Sequence, residues 1–240
     1  DIIVTNPPFS LFREFLAWLV EGRKKFLIIG NLNAVKYIEV FPLIMKNEMW
    51  MGATCFNGGA AYFIGDKSLF DPEKISSEKN AYLEDGKLFW RVNGVRWYTN
   101  LEHGRRHQPL QLMTEAENVK YSRHKEVKDV GYRKYDNYDA IEVPYVDAIP
   151  RDYEGVMGVP ISYFDKYCPE QFVILGMCEN EDAYGLKTRV YSSAECKAAY
   201  LAKFGKPGTY DLNRSGVLRI NGLLEQTYHR LFIRHRRVGK

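Results

Sequence analysis

Apolar and polar positions follow the periods of an α/β chain at the start of the sequence and lose that order further on. Ile2, Ile3, Val4 and Thr5 form a short run that suits a strand covered on both faces. From Ser10, a good N-cap residue, Phe12, Phe15, Leu16, Leu19 and Val20 recur at helical spacing until Gly22 offers a stop. Residues 25–30 read as the next buried strand, 31–34 as a turn, and 35–45 as a helix that bends or restarts near Pro42. Strand, helix, strand, helix predicts parallel pairing through right-handed crossovers. A hairpin is predicted next, from 50–56 to 60–64 around Asn57-Gly58-Gly59, residues that tolerate positive φ.

Beyond Asp66 the texture changes. Residues 67–80 are polar, contain Pro72 and read as a linker or flap. Runs at 87–92 and 95–98 flank Asn93-Gly94 and predict a second hairpin with a type I′ turn. Short strands are predicted at 140–143, 172–177, 217–220 and 228–234, and a short helix at 194–204. The expected organisation is a partial α/β core over 1–66 and a mostly β, tyrosine-rich region over 67–240.

Composition narrows this picture. Hydrophobic content of 45% with 14% aromatics excludes a disordered chain, and 240 residues suffice for a packed core. No apolar run approaches the ~20 residues that span a bilayer, so no membrane partner is expected. Cys55, Cys168, Cys178 and Cys196 show no Cys-x-x-Cys spacing, which argues against a disulfide framework or zinc site and fits a reducing cytoplasm. The chain opens on Asp1 inside a predicted strand, so it is expected to be a piece of a longer protein. A net charge of only +4 means that any case for nucleic acid rests on clusters of basic residues.

The most specific chemical signal is Asn6-Pro7-Pro8-Phe9. Asn-Pro and Pro-Pro are also ordinary turn punctuation. Here, however, a β-branched strand precedes them and a helical pattern follows, which is the setting a catalytic loop needs. Asn6 and Pro7 each precede a proline and are pushed to extended conformations, while the rings fix φ at Pro7 and Pro8. The result is a rigid kink at the carboxyl end of a parallel strand, where open α/β sheets bind ligands.

This loop resembles the catalytic motif of amino-methyltransferases, and nearly the whole chain resembles the EcoRI-like family of adenine-specific DNA methyltransferases. The stretches that carry the likeness are residues 1–13 (Asp-Ile-Ile-Val-Thr-Asn-Pro-Pro-Phe-Ser-Leu-Phe-Arg), 25–31 (Lys-Phe-Leu-Ile-Ile-Gly-Asn), 94–100, 135–143, 155–160 and 169–172. The resemblance implies the C-terminal half of a Rossmann-like, S-adenosylmethionine-dependent methyltransferase sheet, followed by a mostly β target-recognition region. It also implies methyl transfer to adenine N6 in double-stranded DNA, with the base flipped into the Asn-Pro-Pro-Phe pocket. The setting would be the cytoplasm, in a bacterial restriction-modification system or a phage-encoded one. By position, Asn6, Pro7, Pro8 and Phe9 form the catalytic loop, and Phe56, Asn57 and Gly58 flank the target base. The adenine amine is a poor nucleophile because its lone pair is delocalised; the Asn6 side-chain carbonyl and the Pro7 carbonyl would accept its hydrogens and favour the charge that develops. Phe9 would stack on the extruded base. The family's main S-adenosylmethionine loop, a Phe-x-Gly-x-Gly turn, normally precedes this motif and is absent here; Gly52, Gly58-Gly59 and Gly176 do not fit its pattern.

Other signals are less specific. His103 and His107 have a metal-like spacing, but Gly104, Arg105 and Arg106 lie between them without a carboxylate or thiol, so no metal is expected. Arg105 and Arg106 suit phosphate contacts or a solvated loop. Residues 121–138 interleave Arg123, His124, Lys125, Lys128, Arg133 and Lys134 with tyrosines, which suits a nucleic-acid face, but Asp129, Asp136 and Asp139 dilute the charge. Arg133 and Lys134 are the DNA-contacting candidates there. Arg230, Arg234, Arg236, Arg237 and Lys240 form either a phosphate patch or a solubilising tail. The reading is a DNA adenine-N6 methyltransferase portion with double-stranded DNA as partner. Its alternatives are a non-catalytic DNA-binding or partner module that kept the fold, and an enzyme using the same loop on cytosine N4, RNA or a glutamine side chain.

Overall fold

The computed structural model of the protein describes residues 1–54, 60–65 and 80–236. It is a mixed α/β chain, rich in strands with few helices, and it divides into two compact units, Asp1–Gly104 and Arg105–Lys240.

In the first unit, β1 (Ile2–Thr5) pairs in parallel with β2 (Lys25–Asn31), Thr5 lying opposite Ile28. The crossover is α1 (Phe12–Glu21), which buries Phe12, Leu16 and Leu19, a stripe spaced for one helical face. Ser10 does not cap it. The Leu11 amide bonds the Pro8 carbonyl at 3.0 Å, so a 3-10 turn at Phe9–Leu11 follows the prolines directly and Leu11 becomes the cap residue. The Phe12 ring meets Tyr98 edge-on at 5.3 Å over Gly30. A Cβ on Gly30 would lie 2.4 Å from the Phe12 ring and 2.9 Å from Tyr98, so that approach requires glycine. β1 is not covered on both faces: it lies at the edge of its sheet, and Ile2 and Val4 are 58% and 63% exposed. The long helix expected over 35–45 is only α2 (Phe41–Met45), with Pro42 in its first turn, where a missing amide costs nothing.

Neither predicted hairpin of this unit forms as expected. β3 (Trp50–Met51) pairs with β7 (Val95–Thr99), whereas β4 (Ala60–Gly65) pairs with β6 (Lys87–Val92), which also pairs with β5 (Ala81–Glu84). β7 instead lies antiparallel between β2 and β3, giving the order β1-β2-β7-β3. Asn93-Gly94 therefore carries the chain from one sheet to another; Gly94 has φ of +75°, but Asn93 does not share the positive φ that a type I′ turn needs. The turn expected at 57–59 lies outside the described residues. Because β7 is central to the first sheet, the first compact unit runs well past residue 66, to Gly104.

The second unit opens with α3 (Glu115–Tyr121), started by a Thr114/Glu117 capping box. A four-stranded sheet follows, built from β8 (Ala140–Glu142), β9 (Val156–Pro160), β10 (Phe172–Met177) and β13 (Arg230–His235) in the order β10-β13-β9-β8. Inserted before β13 are α4 (Ser193–Phe204), capped by Ser192 and Glu195, and a hairpin of β11 (Val217–Ile220) and β12 (Leu223–Gln226). Phe172, Met157, Leu231, Phe232 and Ile233 are buried in this unit. Among the described residues no helix is long and apolar enough to cross a membrane.

Candidate functional site

Where β1 ends, the chain kinks through Asn6-Pro7-Pro8-Phe9. Pro7 is buried; Asn6 and Pro8 are exposed and Phe9 is 42% exposed. Among the described residues nothing hydrogen-bonds the Asn6 side chain or the Pro7 carbonyl. A fold that needed Asn6 for a cap or turn would have used that side chain, so its acceptor is available to a ligand.

The neighbouring β2 is anchored at both ends. The Phe26 amide donates to Asn100 Oδ1 at 2.9 Å, Thr99 Oγ1 donates to the Phe26 carbonyl at 2.6 Å, and Tyr98 Oη donates to the Asn31 carbonyl at 2.7 Å. β3 runs parallel to β1 and β2, because it and β2 both oppose β7. The segment leaving β3 is held by the Gly52 amide on the Trp97 carbonyl at 2.9 Å, and His103 Nε2 bonds the Met51 carbonyl at 2.8 Å. It therefore departs toward the same end of the sheet as Asn6. Phe56, Asn57 and Gly58, expected on that segment, lie outside the described residues.

The basic candidates behave differently from one another. Arg105 is exposed, but its neighbour Arg106 is 8% exposed, too covered for a phosphate contact in this conformation. Arg133 and Lys134 are both exposed at the start of an extended segment that bridges β8. Arg230 is not part of a surface patch: its guanidinium forms a bidentate pair with Glu142, Nη2 to Oε1 at 2.7 Å, and both are buried. Tyr135 donates its hydroxyl to the same carboxylate. Burial opposes charge on Arg230, but the bond and the charge of Glu142 outweigh it and raise the pKa, so the guanidinium stays charged. Arg236 donates to the Pro169 carbonyl, Arg234 is exposed, and Arg237 and Lys240 lie outside the described residues. His103 and His107 have separate partners, the latter bonding Glu170 at 2.8 Å, and no metal-binding cluster occurs among the described residues. Arg123 and His124 both engage Asp147, at 2.7 and 2.9 Å, and His124 stacks on Tyr145, so part of the 121–138 charge is internally satisfied.

One cluster has no signature in the sequence. Asp136 accepts from Arg189 at 2.8 Å, from Arg219 at 3.0 Å and from Tyr191 at 2.7 Å, joining segments more than 50 residues apart. Burial pushes its pKa up, but hydrogen bonds from Tyr191 and Arg219 and the two guanidinium charges together hold it below the usual carboxylate range.

The sequence pattern of the family described as adenine-specific methyltransferase EcoRI matches residues 1–236. The chain belongs to that family. It is 42% identical over 177 residues to the type II methyltransferase M.EcoRI of Escherichia coli, a match covering 73% of this chain and 49% of that protein. The type II methyltransferase M.MpnI of Mycoplasma pneumoniae is 37% identical over 193 residues, covering 80% of this chain and 56% of the relative. M.MgeORF184P of Mycoplasma genitalium, also a type II methyltransferase, is 32% identical over 238 residues, covering 99% of this chain and 65% of its own. The chain thus spans about half the length of the first two relatives. No solved structure matches it.

Proposed function

We propose that this chain belongs to an S-adenosylmethionine-dependent DNA methyltransferase, whose catalytic loop it carries, that modifies adenine N6 on a base swung out of the duplex. One observation carries the reading: in an adenine-specific methyltransferase family, the Asn-Pro-Pro-Phe loop ends a strand paired in parallel with β2 and keeps two acceptors uncommitted. The parallel pair and its α1 crossover support a Rossmann-like sheet for this part of the molecule.

S-adenosylmethionine supplies an electrophilic methyl group when bound. Among the described residues none forms the glycine-rich strand-to-helix turn that would seat it; Gly30 and Gly52 are instead close-packed against Phe12, Tyr98 and Trp97. The roles assigned to this chain therefore belong to the target base. Asn6 Oδ1 and the Pro7 carbonyl hold the two amine hydrogens where a tetrahedral nitrogen would place them. Because the prolines fix these dipoles beforehand, they stabilise positive charge as it grows without reorganising. Extruding a base costs a few kcal/mol of stacking and pairing. A base stacked on Phe9 recovers about 1–3 kcal/mol of that.

The DNA backbone falls to the second unit. Residues 105–240 hold 22 Lys and Arg against 18 Asp and Glu, which accounts for the whole net charge of +4. Arg105, Arg133 and Lys134 are its exposed candidates for phosphate. The test is nucleoside analysis of duplex DNA after incubation with the whole protein and methyl donor. N6-methyladenine is the expected product. N4-methylcytosine would replace the substrate assignment, and tight DNA binding without any methylation would favour the non-catalytic module.

A further inference from the structure

We propose that Asn31 is a second base-contacting residue, whose side-chain amide donates to a ring nitrogen flanking the amine held by Asn6. The inference rests on the catalytic reading of Asn6 and adds the group that would tell one base from another.

The β1–β2 register carries the first step. Val4 lies opposite Leu27 and Thr5 opposite Ile28. Continued by one residue, Asn6 falls beside Ile29, with Asn31 two positions further along β2. Alternate residues of a strand share a face. Phe26, Ile28 and Gly30 take the face of α1, as the packing of Phe12 and Tyr98 over Gly30 requires. Val4, Asn6, Leu27, Ile29 and Asn31 take the other; Asn6 keeps the alternation because a residue before proline is extended. With strands about 4.8 Å apart and a rise of about 3.3 Å per residue, these diagonal positions stand about 8 Å apart, a span across which two amide side chains can grip one planar heterocycle. Val4 and Asn6 are exposed and Asn31 is half-buried, while Ile29, opposite Asn6, is buried against Val95 and Trp97.

Asn31 is held in place. Its carbonyl accepts from Tyr98 Oη at 2.7 Å, and its Oδ1 accepts the Asn33 amide at 2.8 Å as the cap of a 3-10 turn. The next residue is also tied down, the Leu32 amide bonding the Gly94 carbonyl at 2.6 Å. With Oδ1 committed to a backbone N–H, the amide orientation is fixed by the network. Nδ2 then offers two donors, and among the described residues neither has a partner. Capping alone would be served equally well by Asp or Ser. The donor is surplus to the fold.

An acceptor at Asn6 beside a donor at Asn31 complements an amine next to a ring nitrogen. Adenine presents that edge twice, through N1 and through N7. Guanine and thymine place a carbonyl where the amine would be and set acceptor against acceptor, a mismatch that polar sites reject strongly. Contact with N7 would also exclude cytosine, whose amine is flanked on that side by carbon.

Asn31→Asp tests this in the whole protein, because it keeps the capping oxygen and the shape and removes both donor hydrogens. Substrates are duplexes carrying adenine, 7-deazaadenine or 1-deazaadenine at the target. Asn31→Asp is expected to lower kcat/KM on adenine about tenfold or more, the consequence of leaving a buried acceptor unpaired. The unmodified protein should lose a similar factor on one of the two deaza bases, and Asn31→Asp should lose nothing further on that base. Asn31→Ser, which also retains a capping oxygen, should reproduce the loss if the aspartate form fails to fold. Wild-type rates in both variants, or losses that multiply on both deaza bases, would overturn the proposal. Asn6→Ala run alongside separates the two ideas: if it is inert while Asn31→Asp is normal, only Asn31 is removed, whereas a fully active Asn6→Ala removes the reading beneath it.

Discussion

Arg230 shows how far a residue's setting can depart from its type. In the sequence it begins a run of arginines; in the structure it is buried at the start of β13 and paired with Glu142 on β8, which also accepts from Tyr135. Removing one partner of such a pair leaves a charge buried without compensation, which costs about 3–5 kcal/mol. Arg230→Ala is therefore expected to lower the unfolding free energy by that amount in urea titration, and a change below about 1 kcal/mol would show that solvent already reaches Glu142. Asp136 supports a pH prediction. Its folded pKa lies below its unfolded value, so its stabilisation is complete above the unfolded pKa of about 3.9 and is lost as pH falls through the folded pKa. Asp136→Asn should melt below wild type at pH 7, with the gap closing as pH drops below about 4. A gap of constant size down to pH 3 would mean that the carboxylate's charge is not what joins Arg189 and Arg219.

Among the elements, Gly30 links helix packing to the site. A methyl group there must displace Phe12 or Tyr98, and overpacking of this kind costs about 1–3 kcal/mol. Because α1 begins three residues after Phe9, Gly30→Ala should reduce methylation as well as melting temperature; unchanged values of both would show that the α1 contact is slack. The elements most legible in the sequence were those whose own residues decide them. The runs at 172–177 and 217–220 are strands over those bounds, and the helix expected at 194–204 begins one residue earlier. Pairing was less legible, because it is set by distant residues. Asn93-Gly94 carries a local hairpin signal, yet β7 lies between β2 and β3 instead of folding back on β6. Among the described residues, consecutive positive φ occurs at Asp85-Gly86 and Asn221-Gly222, where half-polar flanking strands leave little hairpin signal in the sequence. The Thr114 and Ser192 capping boxes are both readable signals, although the apolar pattern predicts only α4 as a helix.

For the molecule as a whole, the uneven charge between units yields a salt prediction. Each phosphate contact steepens the dependence of log affinity on log salt by about 0.9. Replacing Arg133 and Lys134 by Ala in the whole protein should flatten that slope by about one to two units on any duplex. Arg105→Ala should flatten it by about one, whereas buried Arg106→Ala should leave it unchanged. An unchanged slope in all of these would place the DNA backbone elsewhere. The candidate site was legible where its residues are contiguous, as in Asn6 to Phe9. Asn31 was hidden, since only the β1–β2 register puts it on the face of Asn6. The central claim is that Asn6 acts on the target amine rather than on DNA binding. Single-turnover methyl transfer by Asn6→Ala in the whole protein, measured beside its duplex affinity, tests this most directly. The rate is predicted to fall by about two to three orders of magnitude with affinity little changed; a near-normal rate, or a loss confined to affinity, would contradict it.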